Sequence, residues 1–173
     1  MIATKADLAH ALDGESRMGE ILFVCTGNTC RSPMAAALFN HLSCLEQEGA
    51  TDGRRLIATS AGLCADEGAP ITKTAVMALE EAQIPSRPGN DYAAHRAQGV
   101  TREMVEAAIL VVGITARHAF ELTLRYPEHA SKITAFPLDI SDPFGGDLAR
   151  YRDCLAELRY GMTLLLCGEG EQA

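Results

Sequence analysis

The chain has 173 residues, of which 47% are hydrophobic and 22% are charged, a composition typical of one globular domain. Its formal net charge of −8 gives its field the wrong sign for nonspecific binding to nucleic acid or to an anionic membrane surface. No nucleic-acid partner and no membrane partner are therefore expected. The scattered cysteines, without a C-x-x-C pair, are those of a cytoplasmic protein with reduced thiols.

Short β-type runs alternate with longer helical patterns along the chain. The predicted strands cover residues 21–24, 56–59, 108–112 and 132–136. The predicted helices cover residues 33–45, 71–82, 115–125 and 148–165, with Gly168 as a C-terminal cap of the last helix. Ser32 is predicted as the N-cap of the first of these helices, followed by Pro33 at its first position. This alternation predicts an α/β fold, in which a parallel sheet has helices on both faces.

The loop between the first predicted strand and the first of these helices carries the strongest chemical signal. It reads Cys25-Thr26-Gly27-Asn28-Thr29-Cys30-Arg31-Ser32, a C-x5-R-S pattern. A loop at this place aims backbone N–H groups at one point, where the helix dipole also favours an anion. Gly27 and Asn28 tolerate the left-handed backbone that such a loop needs, and Arg31 can bind two oxygens of one ligand. The loop therefore predicts a site for phosphate or another tetrahedral oxyanion.

A thiol in this loop is placed to act as a nucleophile. The helix N-terminus and the arginine both favour the thiolate form of Cys25. Transfer of a phosphoryl group to sulfur also requires a proton for the leaving group, and Asp142, on a Pro/Gly-rich loop before the last helix, is the predicted acid. Asp139 in the same loop is the alternative. A buried structural cysteine beside an incidental arginine would leave the loop composition unexplained.

The phosphate loop, followed along the chain by Thr59-Ser60-Ala61-Gly62 and Asp142-Pro143, resembles the low-molecular-weight protein tyrosine phosphatase family. The resemblance implies a single domain over residues 20–168 with a four-stranded parallel sheet and the phosphate loop after the first strand. It implies a mechanism without a metal or other cofactor, acting on phosphorylated proteins.

The resemblance also implies a role for each loop residue. Cys25 attacks phosphorus, Arg31 holds the equatorial oxygens, and Asp142 protonates the leaving atom and then activates water to hydrolyse the phosphocysteine. Asn28 braces the loop, and Ser32 hydrogen-bonds the thiolate. The other loop residues expected to contact the phosphoryl group are Thr26, Gly27, Thr29 and Cys30.

Two features resemble the bacterial protein arginine phosphatase branch of this family. Thr29 stands where tyrosine-specific members usually have isoleucine or leucine, and Phe144-Gly145-Gly146 follows Asp142-Pro143 where those members have more aromatic residues. The sequence therefore predicts a phosphoarginine phosphatase, with a tyrosine phosphatase as the alternative. A noncatalytic phosphate-binding module has no use for a general acid. An arsenate reductase needs shuttle cysteines that the stretch between Cys64 and Cys154 lacks.

Five further expectations concern the rest of the chain. Residues 1–19 are an extension before the usual start of the family, either disordered or helical around Leu8, unless Met18 is the true start. Residues 169–173 form a tail. The loop 85–92 is either a rim element of the site or an inert surface loop. Cys30 is expected to form a redox-sensitive disulfide with Cys25. Exposed positions are expected for His41, His118 and His129.

Overall fold

The computed structural model describes residues 2–11, 18–47 and 55–167. Four strands form one parallel sheet in the order β2-β1-β3-β4. The strands are β1 (Met18–Cys25), β2 (Arg55–Gly62), β3 (Leu110–Gly113) and β4 (Ile133–Ala135). The helices are α1 (Lys5–Ala11), α2 (Arg31–Gln47), α3 (Lys73–Glu81), α4 (Arg102–Ala107), α5 (Ala116–Arg125) and α6 (Leu148–Cys167). Short 3-10 helices span Tyr92–Ala94 and Pro127–Lys132. The predicted four-stranded parallel sheet is confirmed.

Strand β1 lies in the centre of the sheet, between β2 and β3. Its residues 21–24 have no solvent exposure. A strand covered on both faces carries a continuous apolar run, which is why residues 21–24 show no alternation of polar and apolar side chains. The parallel register pairs Cys25 with Gly62, so both strands end at the same edge.

The core consists of two layers, one on each face of the sheet. Phe23 packs on the face covered by α2, α3 and α6, with its ring centroid 6.1 Å from that of Phe39 and 6.3 Å from that of Phe136. Leu22 and Val24 point to the other face, under α4 and α5. Burial of each such side chain contributes roughly 1.5–3 kcal/mol. The two layers fix the strand ends that carry the loops.

The start of α2 differs from the prediction. The helix begins at Arg31, and the backbone N–H of Met34 donates to the Cys30 carbonyl at 3.1 Å. Ser32 is therefore inside the first turn, and the prediction that it caps the helix is wrong. The chain turns helical directly after the phosphate loop, which leaves the Ser32 side chain free to bond within the loop. The short helix α4 was not predicted, and Gly168 lies outside the described residues.

The described N-terminal residues pack against the edge of the sheet. The Ala3 N–H donates to the Ala135 carbonyl at 2.6 Å, so the segment before α1 pairs with β4. The Ala3 side chain is buried. Residues 2–11 thus contact the sheet and include α1, which lies where the sequence allowed a helix around Leu8. None of the described helices combines the length and apolar character that a membrane crossing requires.

Candidate active site

The phosphate loop leaves the carboxyl end of β1 and enters the first turn of α2. It forms one wall of a cleft of about 220 Å³. The lining residues are Cys25, Thr26, Gly27, Thr29, Cys30, Arg31, Asp142 and Phe144. The fold therefore brings the predicted nucleophile, arginine and acid to one cavity, although Asp142 follows Arg31 by 111 positions.

The Cys25 thiol lies at the base of the cleft, with its residue only 3% exposed. The backbone N–H of Asn28 donates to Cys25 Sγ at 3.3 Å, and the Ser32 hydroxyl oxygen lies 3.0 Å from the same sulfur. Donors at these two places stabilise a negative charge on sulfur. The contact between Ser32 and Cys25 is the one that the family resemblance implied.

Asn28 is the central brace of the loop. It is fully buried, and its backbone is left-handed with φ of 56°. Its side-chain amide donates to Ser32 Oγ at 3.0 Å and to Ser60 Oγ at 2.9 Å, while its side-chain oxygen accepts the Gln98 N–H at 3.0 Å. His95 Nε2 lies 2.8 Å from the Asn28 carbonyl oxygen. Asparagine is one of the few residues that adopt this backbone readily and also satisfy several polar neighbours.

The segment Thr59-Ser60-Ala61-Gly62 at the end of β2 contacts the phosphate loop. Besides Ser60, the Ala61 carbonyl oxygen lies 3.2 Å from Ser32 Oγ and accepts its hydrogen when Cys25 is a thiol, whereas a Cys25 thiolate competes for the same hydrogen. A side chain at position 62 would place its Cβ 2.8 Å from the Thr26 carbonyl oxygen and 3.1 Å from the Asn28 Cβ. Glycine is required here because the loop passes directly over β2.

Arg31 and Asp142 form an ion pair across the cleft. Arg31 Nη2 donates to Asp142 Oδ2 at 2.7 Å. The arginine side chain is largely buried, whereas the carboxylate side chain is 54% exposed. Asp142 Oδ1 accepts the Phe144 N–H at 3.2 Å, and its backbone carbonyl accepts Arg150 Nε at 3.2 Å. The carboxylate is thus held at the cleft while one edge stays open to solvent.

Asp139, the alternative acid, has a different role. Its carboxylate accepts the backbone N–H of Ala116 at 2.7 Å, at the start of α5. Asp139 does not line the cleft. Of the two aspartates, only Asp142 lines the cleft together with Cys25.

Cys30 and Thr29 occupy the wall of the cleft on the side of α6. Cys30 Sγ lies 3.1 Å from Tyr151 Oη and 3.6 Å from Thr72 Oγ1. Burial and the neighbouring Cys30 raise the pKa of Tyr151 to about 12, so its hydroxyl remains a neutral donor. The Thr29 carbonyl accepts the Thr72 N–H at 2.9 Å, which ties this part of the loop to the start of α3.

His118 is a site neighbour that the sequence prediction missed. It was expected to be exposed, but it is only 5% exposed. Its Nε2 lies 3.0 Å from Thr26 Oγ1. The local sequence has no signal for this contact, because it depends on α5 beginning directly beside the phosphate loop. His41 and His129 are each partly buried rather than fully exposed.

The loop 85–92 lies away from this cleft. Asn90 and Tyr92 line a separate cavity of about 270 Å³ between α2 and β2. Tyr92 donates to the Ile84 carbonyl at 2.6 Å, and Asn90 donates to the Ala37 carbonyl at 3.0 Å. This loop is therefore not a rim element of the thiol cleft. In the part of the chain that the structure describes, no three His, Cys, Asp or Glu side chains are grouped to hold a metal ion.

Comparison with known proteins gives a consistent relationship over most of the chain. A model of the family described as low molecular weight phosphotyrosine protein phosphatase matches residues 20–171. A protein-arginine-phosphatase from Geobacillus stearothermophilus is 37% identical over 145 residues, which cover 80% of this chain and 87% of that protein.

Solved structures share the fold. A low molecular weight protein tyrosine phosphatase from T. tengcongensis matches with a TM-score of 0.74 and 36% identity, over 86% of this chain and 97% of that one. A YwlE arginine phosphatase from Geobacillus stearothermophilus matches with a TM-score of 0.69 and 33% identity, over 90% of this chain and 99% of that one. The chain therefore belongs to the low-molecular-weight phosphotyrosine protein phosphatase family, a family of cysteine-based phosphatases.

Proposed function

We propose that this protein hydrolyses phosphoarginine in phosphorylated proteins through a phosphocysteine at Cys25. The proposal rests on the position of Thr29. This residue lines the cleft together with Cys25, Arg31 and Asp142. The names of the relatives from Geobacillus stearothermophilus support it. The compartment proposed for this reaction is the cytoplasm, where the nucleophilic thiol stays reduced.

In the first step, Cys25 Sγ attacks phosphorus while the P–N bond to the guanidinium breaks. The loop N–H groups and Arg31 bind the phosphoryl oxygens, and Asp142 gives its proton to the departing nitrogen. The products of this step are a free arginine side chain and phosphocysteine. The open edge of the Asp142 carboxylate is where a leaving group can reach it.

In the second step, a water molecule attacks the phosphocysteine. Asp142, now ionised, accepts the proton of that water, and the P–S bond breaks. Inorganic phosphate leaves and the Cys25 thiolate is restored. The Ser32 hydroxyl and the Asn28 N–H stabilise this thiolate as the leaving group.

Thr29 favours a guanidinium over an aryl ring for a physical reason. A guanidinium keeps its charge in the cleft and needs polar neighbours, because a buried unpaired donor costs roughly 1–3 kcal/mol. The hydroxyl of Thr29 provides a polar wall, whereas isoleucine or leucine would provide only carbon. An aryl ring gains about 25 cal/mol for each Å² of apolar surface that it buries, and a threonine offers less of that surface.

Hydrolysis of phosphotyrosine is the second candidate function. Phe144 favours it, since this aromatic side chain lines the cleft and is 73% exposed, free to stack on a phenyl ring. The relative from T. tengcongensis is named a tyrosine phosphatase.

The deciding experiment compares two phosphopeptides of identical sequence, one with phosphoarginine and one with phosphotyrosine. We expect kcat/KM to be higher for phosphoarginine. Cys25→Ser is the control, since it must abolish release of phosphate from both peptides. A wild-type protein that prefers phosphotyrosine contradicts the proposal and supports the second candidate.

A further inference from the structure

A buried histidine joins α5 to the phosphate loop. His118 Nε2 lies 3.0 Å from Thr26 Oγ1, and His118 Nδ1 lies 2.8 Å from Thr115 Oγ1. Thr26 lines the cleft, but His118 and Thr115 do not. Any effect of the imidazole on a bound oxyanion must therefore pass through Thr26.

The imidazole is held rigidly at this place. Gly113 ends β3 directly under the first turn of α5, and a Cβ on Gly113 would overlap the backbone of His118 and Ala119. Thr115 caps the helix, and its side-chain oxygen accepts the backbone N–H of His118 at 3.3 Å. A strand end and a helix cap thus fix the distance between His118 and the loop.

Both ring nitrogens of His118 contact a threonine hydroxyl. Burial, reinforced by the Arg31 guanidinium, lowers the pKa of His118 to about 4, so the ring is neutral near neutral pH and carries one N–H. Its one hydrogen is therefore either on Nε2, where it donates to Thr26 Oγ1, or on Nδ1, where it donates to Thr115 Oγ1. In the first case the Thr115 hydroxyl donates to Nδ1 while its oxygen accepts the His118 backbone N–H.

We propose that His118 carries its single ring hydrogen on Nε2 and acts as a positioning residue, which directs the hydroxyl hydrogen of Thr26 into the cleft, where it donates to a phosphoryl oxygen. When Thr26 Oγ1 accepts from the imidazole, its own hydrogen points away from His118 and is available to a ligand in the cleft that Thr26 lines together with Cys25. The series Thr115, His118, Thr26 thereby adds one side-chain donor to the backbone N–H groups of the loop. The proposal rests on the proposed phosphate-binding role of this loop and deepens it.

The test uses the full-length protein, an aryl phosphate substrate and orthovanadate as the oxyanion probe. The variants are Thr26→Val, His118→Phe, the double variant, and His118→Gln, whose amide N–H can replace the Nε2 donor. We expect each of the first two to lower kcat and raise the vanadate inhibition constant by roughly 10-fold, the effect of one lost hydrogen bond to a charged group. The double variant should lose no more than either single variant, and His118→Gln should recover most of the loss.

Two results would overturn the proposal. One is a double variant whose losses multiply, which would make the two residues independent. The other is a His118→Phe protein that melts at a lower temperature but keeps wild-type kcat and vanadate inhibition, the behaviour of a purely structural histidine.

A second comparison serves if His118→Phe does not fold. Thr26→Ser retains the hydroxyl, so it should keep wild-type vanadate inhibition while Thr26→Val loses it, and equal inhibition of the two variants contradicts the proposal. Failure of the proposed phosphate-binding role of the loop is seen separately. In that case the wild-type protein itself neither turns over the aryl phosphate nor is inhibited by vanadate.

Discussion

Arg31 and Asp142 contact each other directly, with Nη2 donating to Oδ2 at 2.7 Å. In this arrangement the two side chains proposed to act on a phosphoryl group neutralise one another. A bound oxyanion competes for the same guanidinium, since an arginine fork binds two oxygens of a tetrahedral anion more completely than one carboxylate oxygen. We therefore expect that a bound oxyanion would free Asp142 to meet the leaving group.

Substitution of Asp142, the proposed acid, distinguishes formation of the phosphocysteine from its hydrolysis. Asp142→Ala should lower kcat on a phosphopeptide by roughly 10²–10⁴, the usual contribution of a positioned acid. The loss should be smaller for an aryl phosphate with an acidic phenol, because that leaving group departs without a proton. Rapid quenching followed by mass spectrometry should find phosphate on Cys25 in this variant.

Asp139→Ala is the matched control for Asp142→Ala. It removes a cap of α5 rather than a cleft residue, so it should lower the free energy of unfolding by about 1 kcal/mol and leave kcat near the wild-type value. Equal losses of kcat in the two aspartate variants would remove the assignment of Asp142 as the acid.

Thr29→Ile tests the proposed choice of leaving group. Loss of the polar wall should lower kcat/KM for a phosphoarginine peptide and maintain or raise it for a phosphotyrosine peptide. The ratio of the two should move by roughly 10–100-fold. Thr29→Val is the control for shape, since it retains the branched side chain and lacks the hydroxyl. An unchanged ratio in Thr29→Ile would mean that this residue does not select the substrate.

Oxidation tests the expected link between Cys25 and Cys30, both of which line the cleft. Mild peroxide should oxidise the Cys25 thiolate to a sulfenic acid, from which the Cys30 thiol displaces water to form a disulfide. Activity should then return on addition of dithiothreitol. In Cys30→Ser the inactivation should become irreversible, while Cys64→Ser, which removes an exposed thiol, should behave like the wild type. Absence of the Cys25–Cys30 crosslink in peptide mass spectra would contradict the prediction.

Substitutions of Asn28 test how far stability and catalysis depend on the hydrogen bonds by which this residue braces the phosphate loop. Asn28→Ala leaves Ser32 and Ser60 without their amide donor, and alanine adopts a φ of 56° less readily than asparagine does. Asn28→Gly loses the same hydrogen bonds but accepts this backbone, so it should be more stable than Asn28→Ala by about 1 kcal/mol. Both variants should have lower kcat/KM than the wild type. Urea unfolding together with steady-state kinetics measures the two effects, and wild-type kinetics in Asn28→Gly would show that the brace is dispensable.

We expect the lowered pKa of His118 to make the free energy of unfolding depend on pH. Its pKa is about 4 in the folded protein against 6.5 in the unfolded chain, so the unfolded state binds the extra proton between these values. Stability is therefore fully present above pH 6.5 and falls as the pH drops towards 4, by up to about 1.4 kcal/mol per pH unit for one proton. In His118→Gln the slope of unfolding free energy between pH 4.5 and 6 should decrease by about that amount. An unchanged slope would mean that the histidine is not buried in the neutral form. The charged residues near the ring are Arg31, Arg117, Glu121 and Asp142.

The phosphate loop and the fold class could be predicted from the sequence because their determinants are local. Cys25 and Arg31 stand in one short segment, and a strand, a turn of small residues and a helix N-terminus suffice to predict an anion site there. The apolar run before Cys25 predicted a strand buried on both faces, and β1 is that strand. Asp142 was predicted by position as well, since loops that follow parallel strands share one edge of the sheet.

Tertiary structure alone decided which polar groups meet the loop. Ser60, His95 and Gln98 follow Asn28 by 32, 67 and 70 positions, and no periodicity in the sequence pairs them with it. His118 looked like a solvent-facing helix residue, but the close approach of α5 to Gly113 buries it against Thr26. Local patterns report backbone preference and amphipathic faces. Hydrogen bonds between distant segments depend instead on how the helices pack on the sheet, and that packing forms only when the whole chain folds.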